Sequence, residues 1–427
     1  MPLEDHPLRY KLANELHARP FPSLEAPGQA VYFAIKEQKE AAKRDRAKDR
    51  AHLISLLDRF GAQHPKPDAT HYFGDLGKFR LKWEQHTEFV TYTAFLPNGT
   101  ARPFDPTAWE VFPDEWLSEA PGAHITSAHL MFLPMPDDES GVEDTLHDWF
   151  VPESLAVSKV LDDSAVIAGD FRIDTSGHMR FAVFTRPDTG RRRLGRIVQR
   201  ICEIETYKTM SMLGLPRAHE LSRHMGVIDE SLSHLVSDMN GHLAKPDETL
   251  QQLLNIAAEL EQLQTESAFR FGATGAYEAL VNQRIKVLRE ERFQGRQTFG
   301  EFMTRRFDPS MRTVKATENR LYQMTNRAIR AGDLLRTQVD VDRSAQNQEL
   351  LASMDKRSDM QLRLQKTVEG LSVVAISYYA VNLVVYLIGP FAEPIGVSKP
   401  VLTALAVLPT MAAVWLVLQS IRKSMEK

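Results

Sequence analysis

The sequence predicts an α+β cytoplasmic domain, then a long helical stalk, then a C-terminal hairpin of two transmembrane helices. Three observations predict this order. Strand-like and helix-like segments are interspersed up to about residue 245, no convincing strand follows about Arg191, and two charge-free apolar stretches lie near the C-terminus. We therefore divide the chain into a mixed domain (1–245), a helical subdomain (246–308), a stalk or coiled coil (309–369) and the hairpin (370–427).

The strands of the first domain are indicated by apolar runs and by alternation. VYFAI at 31–35 is a short candidate, and KFRLKWEQHTEFVTYTAF at 78–95 has the alternating outward strand and β-branched return strand of a hairpin. Further strands are predicted at HITSAHLMFL, SAVIAGDFRID and HMRFAVFTR, the last two joined by the turn TSG. Strands interspersed with helices, with a hairpin among them, predict a mixed or mainly antiparallel sheet.

The helices are indicated by apolar residues three and four positions apart. One is predicted at KEQKEAAKRDRAKDRAHLISLLDRFG, a second from Arg191 to the stop signals Gly214 and Pro216, and a third over 220–240. FGATGAYEAL at 271–280 is expected to interrupt the helical subdomain. The helix before it has a seam for a partner helix, made of Leu250, Leu253, Ala257 and Leu260.

The stalk is predicted to be one helix that continues into the membrane. No proline occurs from Ser310 to Gly389, and glycine occurs there only at 332, 370 and 389. Such a helix must pack on its own domain or on copies of itself, and we expect copies to meet. The expected contact is a heptad seam of Leu321, Met324, Ala328, Ala331 and Leu335.

The two apolar stretches predict membrane helices at about 370–391 and 400–421. Each has about the 20 apolar residues that a hydrocarbon layer of about 30 Å requires of a helix. Backbone amides in lipid must be satisfied within their own segment, which a helix achieves. A buried pair of soluble helices is the alternative.

The flanking charges predict the orientation of the hairpin. The turn has only Lys399, whereas basic residues cluster before the first stretch and after the second. The positive-inside rule then places both termini in the cytoplasm, at a bacterial inner membrane. The first residues, MPLEDHPLRYK, have no apolar core of a signal peptide. The basic residues are Lys356, Arg357, Arg363, Lys366, Arg422, Lys423 and Lys427.

Composition and motifs do not indicate an enzyme. A net charge of −4 gives no general attraction to nucleic acid, and the single cysteine, Cys202, excludes an intramolecular disulfide. His124/His129 and His219/His224 are five apart rather than four, so they predict no metal site. The sequence has no phosphate loop and no nucleophile elbow. We expect no cofactor and no catalytic residue, and interpret NELHARP at 14–20 as an ordered polar arm.

Three segments resemble those of a known family. They are HPLRYKLANELHARPF near the start, the helix that ends in MLGLPRAHEL, and the C-terminal hairpin. Together they resemble an uncharacterised bacterial membrane-anchored family, a domain of unknown function. The resemblance covers the whole chain and implies no established activity.

The order of domains also resembles that of the CorA-type divalent-cation channels. The first span of that family ends in Gly-Met-Asn, which helps to form an outer filter for hydrated magnesium. Here Gly389 aligns with the motif glycine, while Pro390 and Phe391 stand in place of methionine and asparagine. The resemblance implies a related scaffold and a homo-oligomer, a pentamer, without a magnesium-selective filter.

A polar stripe on the first span is the candidate functional site. The resemblance implies that Tyr379 and Asn382 line a pore. The alternative is that Asn382 bonds a neighbouring helix while the tyrosines pack or reach the interface. The stripe consists of Ser372, Tyr379, Asn382, Tyr386, Gly389 and Glu393.

Two functions therefore stay open from the sequence. One is a CorA-like homo-oligomer related to ion channels, for divalent or monovalent cations. The other is a membrane-anchored scaffold that binds partners without transport. The lipid bilayer is a partner in both hypotheses, and nucleic acid is a partner in neither.

Overall fold

The structure is a computed structural model that describes residues 3–15, 21–38, 43–97, 102–239, 246–391 and 398–425. The chain forms two compact units. The first comprises Met1–Leu243 and Gln251–Ala331, and the second comprises Ala244–Leu250 and Gly332–Lys427.

The described residues form ten α-helices and nine strands. The strands are β1 (Gly28–Lys36), β2 (His71–Asp75), β3 (Arg80–Gln85), β4 (Phe89–Pro97), β5 (Ala123–Pro134), β6 (Ala156–Val160), β7 (Ala165–Ile173), β8 (Met179–Thr185) and β9 (Glu291–Arg292). The helices are α1 (Arg9–Glu15), α2 (Arg46–Arg59), α3 (Asp114–Ser118), α4 (Glu139–Trp149), α5 (Arg191–Met212), α6 (Gly214–Asp238), α7 (Pro246–Leu288), α8 (Phe299–Arg306), α9 (Asp308–Ile388) and α10 (Lys399–Met425). Short 3-10 helices occur at Pro106–Val111 and Gly389–Phe391.

The first unit is built on one mixed sheet of nine strands, in the order β2-β3-β4-β1-β5-β8-β7-β6-β9. Only β5 and β8 pair in parallel, and the other neighbours are antiparallel. The predictions of an α+β domain and of a mainly antiparallel sheet are therefore confirmed. The hairpins β3–β4 and β7–β8 lie where their patterns predicted them, whereas β2, β6 and β9 were not predicted.

Helices cover both faces of this sheet. On one face, α2 and α3 pack against the β1–β4 half through a core that includes Phe33, Trp83 and Trp116. Helix α4 covers the β6–β8 half of the same face. On the opposite face, the sheet hydrogen-bonds to α5: Thr126 donates to the Glu205 carboxylate, and the hydroxyls of Tyr32 and Thr206 hydrogen-bond to each other. Strands covered on both sides are buried along most of their length, as β1 is.

Two helix predictions need correction. The segment at 271–280 does not interrupt α7, which runs unbroken from Pro246 to Leu288. Neither Gly272 nor Gly275 has a neighbour within 4 Å of the position that a Cβ would occupy, so both are ordinary helical residues. Helix α2 begins at Arg46 with Asp45 as its cap, later than predicted, and part of the predicted start (39–42) lies outside the described residues.

The seam predicted to join copies of the stalk is already occupied. Leu321, Met324, Ala328 and Ala331 are buried within the chain itself. Within the first unit, ion pairs join this part of α9 to α6 (Arg320–Asp229) and to α7 (Lys315–Glu278). The prediction that copies meet at this seam is therefore wrong, because its partners are helices α6 and α7. By contrast, every side chain from 340 to 370 is exposed.

Candidate membrane segment and its polar stripe

Two helices are long and apolar enough to cross a membrane. They are the last part of α9 and the segment Lys399–Ile421 of α10, and almost none of their apolar residues is buried. Large side chains such as Leu371, Leu387 and Leu408 are two-thirds or more exposed. Apolar surface left in water costs about 25 cal/mol per Å², so such helices need lipid or a protein partner.

The helix bounds agree with the lengths expected of the two apolar stretches. Helix α9 ends at Ile388 and is followed by the 3-10 turn Gly389–Phe391, and α10 begins at Lys399. Most of the predicted turn between the stretches, 392–397, lies outside the described residues, and Glu393 lies there too. Pro409 is inside α10, where a helix in lipid can accommodate it.

Some hydroxyl groups in these helices, such as those of Ser372 and Thr410, are satisfied by their own backbone. Ser372 donates to the carbonyl of Val368, at 2.8 Å, and Thr410 donates to that of Ala406, at 2.7 Å. A hydroxyl that is hydrogen-bonded to the preceding turn of its helix costs little free energy on transfer to lipid. Ser372 and Thr410 therefore do not require an external partner.

Asn382 differs from these residues. Its side chain is half-buried, and no residue in the described part of the chain hydrogen-bonds to its amide. Tyr379 and Tyr386 are exposed by 68 % and 83 %, and Gly389 lies in the 3-10 turn. Of the described residues of the stripe, Ser372, Tyr379 and Tyr386 are therefore exposed and Asn382 and Gly389 are half-buried, and its role as a pore or a helix interface stays a prediction.

A longer row, which the sequence analysis missed, passes through Asn382. Residues seven apart lie about 20° apart around α9, which is unbroken to Ile388, so successive members of the row share a face and the whole row meets a partner when the helices supercoil. The signal in the sequence is the seven-residue spacing, which continues beyond the seam at 321–335. We call these residues the a-row: Met354, Gln361, Val368, Ala375, Asn382 and Gly389.

A second row, the d-row, lies beside the a-row three or four residues away. It alternates with the a-row as the second position of a heptad does. Leu350 and Leu364, in the stalk, are both more than half exposed. The d-row is Leu350, Arg357, Leu364, Leu371, Tyr378 and Val385.

Polar residues at the start of α5 have structural partners. Arg191 pairs with Glu25, and Arg193 donates to Ser164 Oγ at 2.7 Å. Cys202 is buried, and burial raises the pKa of its thiol well above the usual range. Of the 14–20 segment, only 14 and 15 lie in α1, and 16–20 lie outside the described residues.

The paired histidines are not arranged as metal ligands. His124 and His129 both lie on β5, where a bulge beside His124 brings the two onto one face of the sheet, but His129 Nε2 hydrogen-bonds to Gln29 Oε1 at 3.0 Å. His219 and His224 lie on α6, and His224 hydrogen-bonds to Glu259 at 2.9 Å. Within the described ranges, no three His, Cys, Asp or Glu side chains are grouped in a way that would hold a metal ion.

Comparison with known proteins agrees with the first resemblance. No curated protein matches the chain. Residues 4–425 match a family of unknown function, which confirms that the family is uncharacterised and that the similarity covers nearly the whole chain. The chain therefore belongs to the family described as protein of unknown function DUF3422.

Proposed function

We propose that this protein is anchored in the bacterial inner membrane and self-associates through α9, with both termini in the cytoplasm. The observation that carries the proposal is the a-row, which continues from the exposed stalk into the apolar stretch. The basic flanks of the two apolar stretches support the orientation. No catalytic step is part of the proposal.

The amide of Asn382 supports association within the membrane. A side-chain amide in hydrocarbon that has no hydrogen-bond partner among the described residues is stabilised by a hydrogen bond to another helix, by about 0.6–2 kcal/mol. In a parallel oligomer, Asn382 of one copy lies beside Asn382 of the next. Copies inserted with the same topology are parallel by necessity, so the a-row of each copy meets itself in register.

The stalk supports the same arrangement outside the membrane. Leu350, Met354, Leu364 and Val368 are all more than half exposed, and they are brought together when a-rows and d-rows meet. Burial of apolar area contributes about 25 cal/mol per Å² in water. Water-exposed and lipid-exposed parts of one helix face therefore favour the same partner, a second copy of this chain.

The order of elements supports a CorA-like scaffold for this oligomer. A mixed-sheet unit precedes the long helix α9, and the apolar part of α9 precedes α10. A pentamer is the state that this scaffold implies. Because Pro390 and Phe391 replace the filter residues, the proposed oligomer lacks selectivity for magnesium.

We expect Asn382→Leu to weaken self-association by about three- to thirtyfold, since each copy loses one interhelical hydrogen bond. The measurement is the oligomer distribution of the full chain in lipid nanodiscs, by native mass spectrometry and crosslinking. Thr410→Val is the matched control, because it also removes a polar group from an apolar helix, but one already bonded within that helix.

The association proposal fails if the wild type is monomeric or if Asn382→Leu leaves the distribution unchanged. A reporter fused at the C-terminus and expressed in bacterial cells tests the orientation. A periplasmic signal from that reporter would contradict the parallel arrangement with cytoplasmic termini.

Cation conduction is the second candidate function. It is favoured by one observation, the grouping of Tyr379, Asn382 and Tyr386 on a single outward face of α9. In liposomes containing the protein, we expect little selective Mg²⁺ uptake, because Phe391 supplies no amide at the outer mouth. Uptake assays with Mg²⁺, K⁺ and Na⁺ decide the matter. Selective Mg²⁺ uptake would contradict the prediction that the protein lacks a magnesium-selective filter. If none of the three cations is taken up, the protein is an anchored scaffold without transport.

A further inference from the structure

The first unit encloses a cavity that the membrane proposal does not use. Its volume is about 280 Å³, and it lies between the sheet and the helices α5 and α7. Strands β1, β3 and β4 supply its floor through Tyr32, Lys82 and Thr93. The exposed residues Phe21, Gln283 and Val287 lie at its rim, so a small molecule can reach it from solvent.

The floor of the cavity is polar, which is unusual for a sheet covered on both faces. The alternation of β3 puts Leu81 and Trp83 into the apolar core on one face, and Lys82 and Glu84 into the cavity on the other. An apolar floor would make the fold more stable, because burying polar groups without partners costs free energy. The polar floor therefore suggests a role for the cavity beyond packing.

Lys82 contributes an incompletely satisfied cation. Only 7 % of its side chain is exposed, and Nζ lies 3.0 Å from Glu84 Oε2. That approach lacks hydrogen-bond geometry, and across the described residues the ammonium has no hydrogen-bond acceptor. An ammonium group carries three donors, so Lys82 can bind an anionic oxygen in the cavity.

Gln199 contributes an acceptor in the opposite wall, on α5. Its Nε2 donates to Glu203 Oε1 at 2.8 Å, which fixes the orientation of the amide. Its Oε1 is buried and receives no hydrogen bond within the part of the chain that the structure describes. Glu203 itself is held on its other oxygen by Arg284, so it does not compete for a ligand.

The remaining lining sets the charge and shape of a ligand. Apart from His86, the cavity has three basic side chains (Lys82, Arg200, Arg284) and two acidic ones (Glu84, Glu203), so its excess charge is positive. Phe89, Phe95 and Val198 form an apolar wall. Ligand sites commonly have about 300–1,000 Å³, and a volume at the lower limit admits one small molecule rather than a nucleotide cofactor.

We propose that this cavity binds a small organic acid that has a hydroxyl or amino group near its carboxylate and an apolar or aromatic side group. The carboxylate pairs with the Lys82 ammonium in a charge-assisted hydrogen bond. The hydroxyl or amino group donates to Gln199 Oε1. The side group lies against Phe95, the aromatic residue of β4 that is nearer to Lys82.

The probes for this proposal are glycolate, lactate and 3-phenyllactate, titrated into the full chain in nanodiscs and followed by calorimetry. We expect 3-phenyllactate to bind and 3-phenylpropan-1-ol, which lacks the carboxylate, to bind at least tenfold more weakly. Lys82→Met and Gln199→Leu are each expected to weaken the binding of 3-phenyllactate at least tenfold. Lys78→Met is the matched control, because it removes a lysine on the exposed turn before β3 and should bind as the wild type does.

Two results would overturn the proposal. One is the absence of binding by all three acids to the folded wild type, which indicates a cavity filled only by water. The other is equal affinity for 3-phenyllactate in the wild type and in Gln199→Leu, the variant that changes no charge. Thermal unfolding of each variant shows whether the first unit is folded. A loss of binding by Lys82→Met can then be distinguished from a loss of structure.

Discussion

Arg44→Met is expected to lower the free energy of unfolding of the first unit by about 3–5 kcal/mol, because it breaks a buried ion pair by removing one partner. The side chains of Arg44 and Asp49 are both only 2 % exposed, and Arg44 Nε donates to Asp49 Oδ2 at 2.9 Å. The variant leaves the Asp49 carboxylate buried with Gln85 Nε2 as a remaining donor, at 3.0 Å.

Arg44 also closes the turn between β3 and β4. Its guanidinium donates to the carbonyls of His86 and Phe89, at 2.9 and 3.0 Å, and to that of Thr87. Methionine has a similar apolar stem but no donor, so three carbonyls lose a partner together with the carboxylate. Local disorder of the β3–β4 turn is therefore expected along with the loss of stability.

The measurement is chemical unfolding followed by tryptophan fluorescence, since Trp83 and Trp116 lie in the adjacent core. Arg59→Met is the matched control. Arg59 faces Glu115 at 3.5 Å on the surface, and loss of an exposed pair costs less than about 1 kcal/mol. The double variant Arg44→Met/Asp49→Leu should recover part of the loss, because no unpaired charge stays buried. Equal effects of Arg44→Met and Arg59→Met would refute the argument.

Acid is expected to destabilise the first unit, and His129 is expected to be a main cause. Burial, and after it the neighbouring His178, lower the pKa of His129 from 6.5 to about 4. Asp174 and Asp105 act in the opposite direction and more weakly. The neutral ring is held by a hydrogen bond between Nε2 and Gln29 Oε1, at 3.0 Å.

The direction of this pH dependence follows from which state of the chain, folded or unfolded, binds the proton. Between the folded and unfolded pKa values, the unfolded chain binds a proton at His129 and the folded chain does not. The contribution of His129 to stability is therefore complete above about pH 6.5 and is lost as the pH falls toward 4. A shift of this size corresponds to about 3 kcal/mol. Burial also lowers the pKa of His178 and of His52, which adds to the same trend.

His129→Gln should flatten this pH dependence, because glutamine cannot take up the proton and can still pair with Gln29. The measurement is the free energy of unfolding from about pH 7 to about pH 4. His147→Gln, which changes an exposed histidine on α4, should keep the slope of the wild type. An unchanged slope in His129→Gln would show that other groups cause the acid sensitivity.

Several features of this protein could be read from the sequence because they depend on residues close together in the chain. The alternation from Phe79 to Phe95 predicted the β3–β4 hairpin, since a strand side chain faces the opposite side from its neighbour. The absence of proline between Ser310 and Gly389 predicted that α9 would be unbroken. The length of two charge-free stretches predicted two helices able to cross a membrane.

The short strands gave no comparable signal. Strand β2 has five residues with a glycine among them, and β9 has two. Strand β2 is stabilised by pairing with the neighbouring β3, and β9 by pairing with β6, which is far away in the chain, so neither strand depends on its own residues alone. Likewise, the glycines of α7 suggested a break, but packing of that helix against the rest of the first unit overrides a cost of about 1 kcal/mol per glycine.

By itself, the sequence determined which faces need a partner, and only the tertiary structure decided which partner each face has. The apolar spacing of Leu321, Met324 and Ala328 was correct as a seam, but α6 and α7 occupy it. The polar alternation of Lys82 and Glu84 would equally suit a solvent-facing strand, but α5 and α7 cover that side and enclose a cavity. The physical reason is that a periodic pattern records the burial and polarity of a face, whereas the surface that covers it comes from residues far away in the chain.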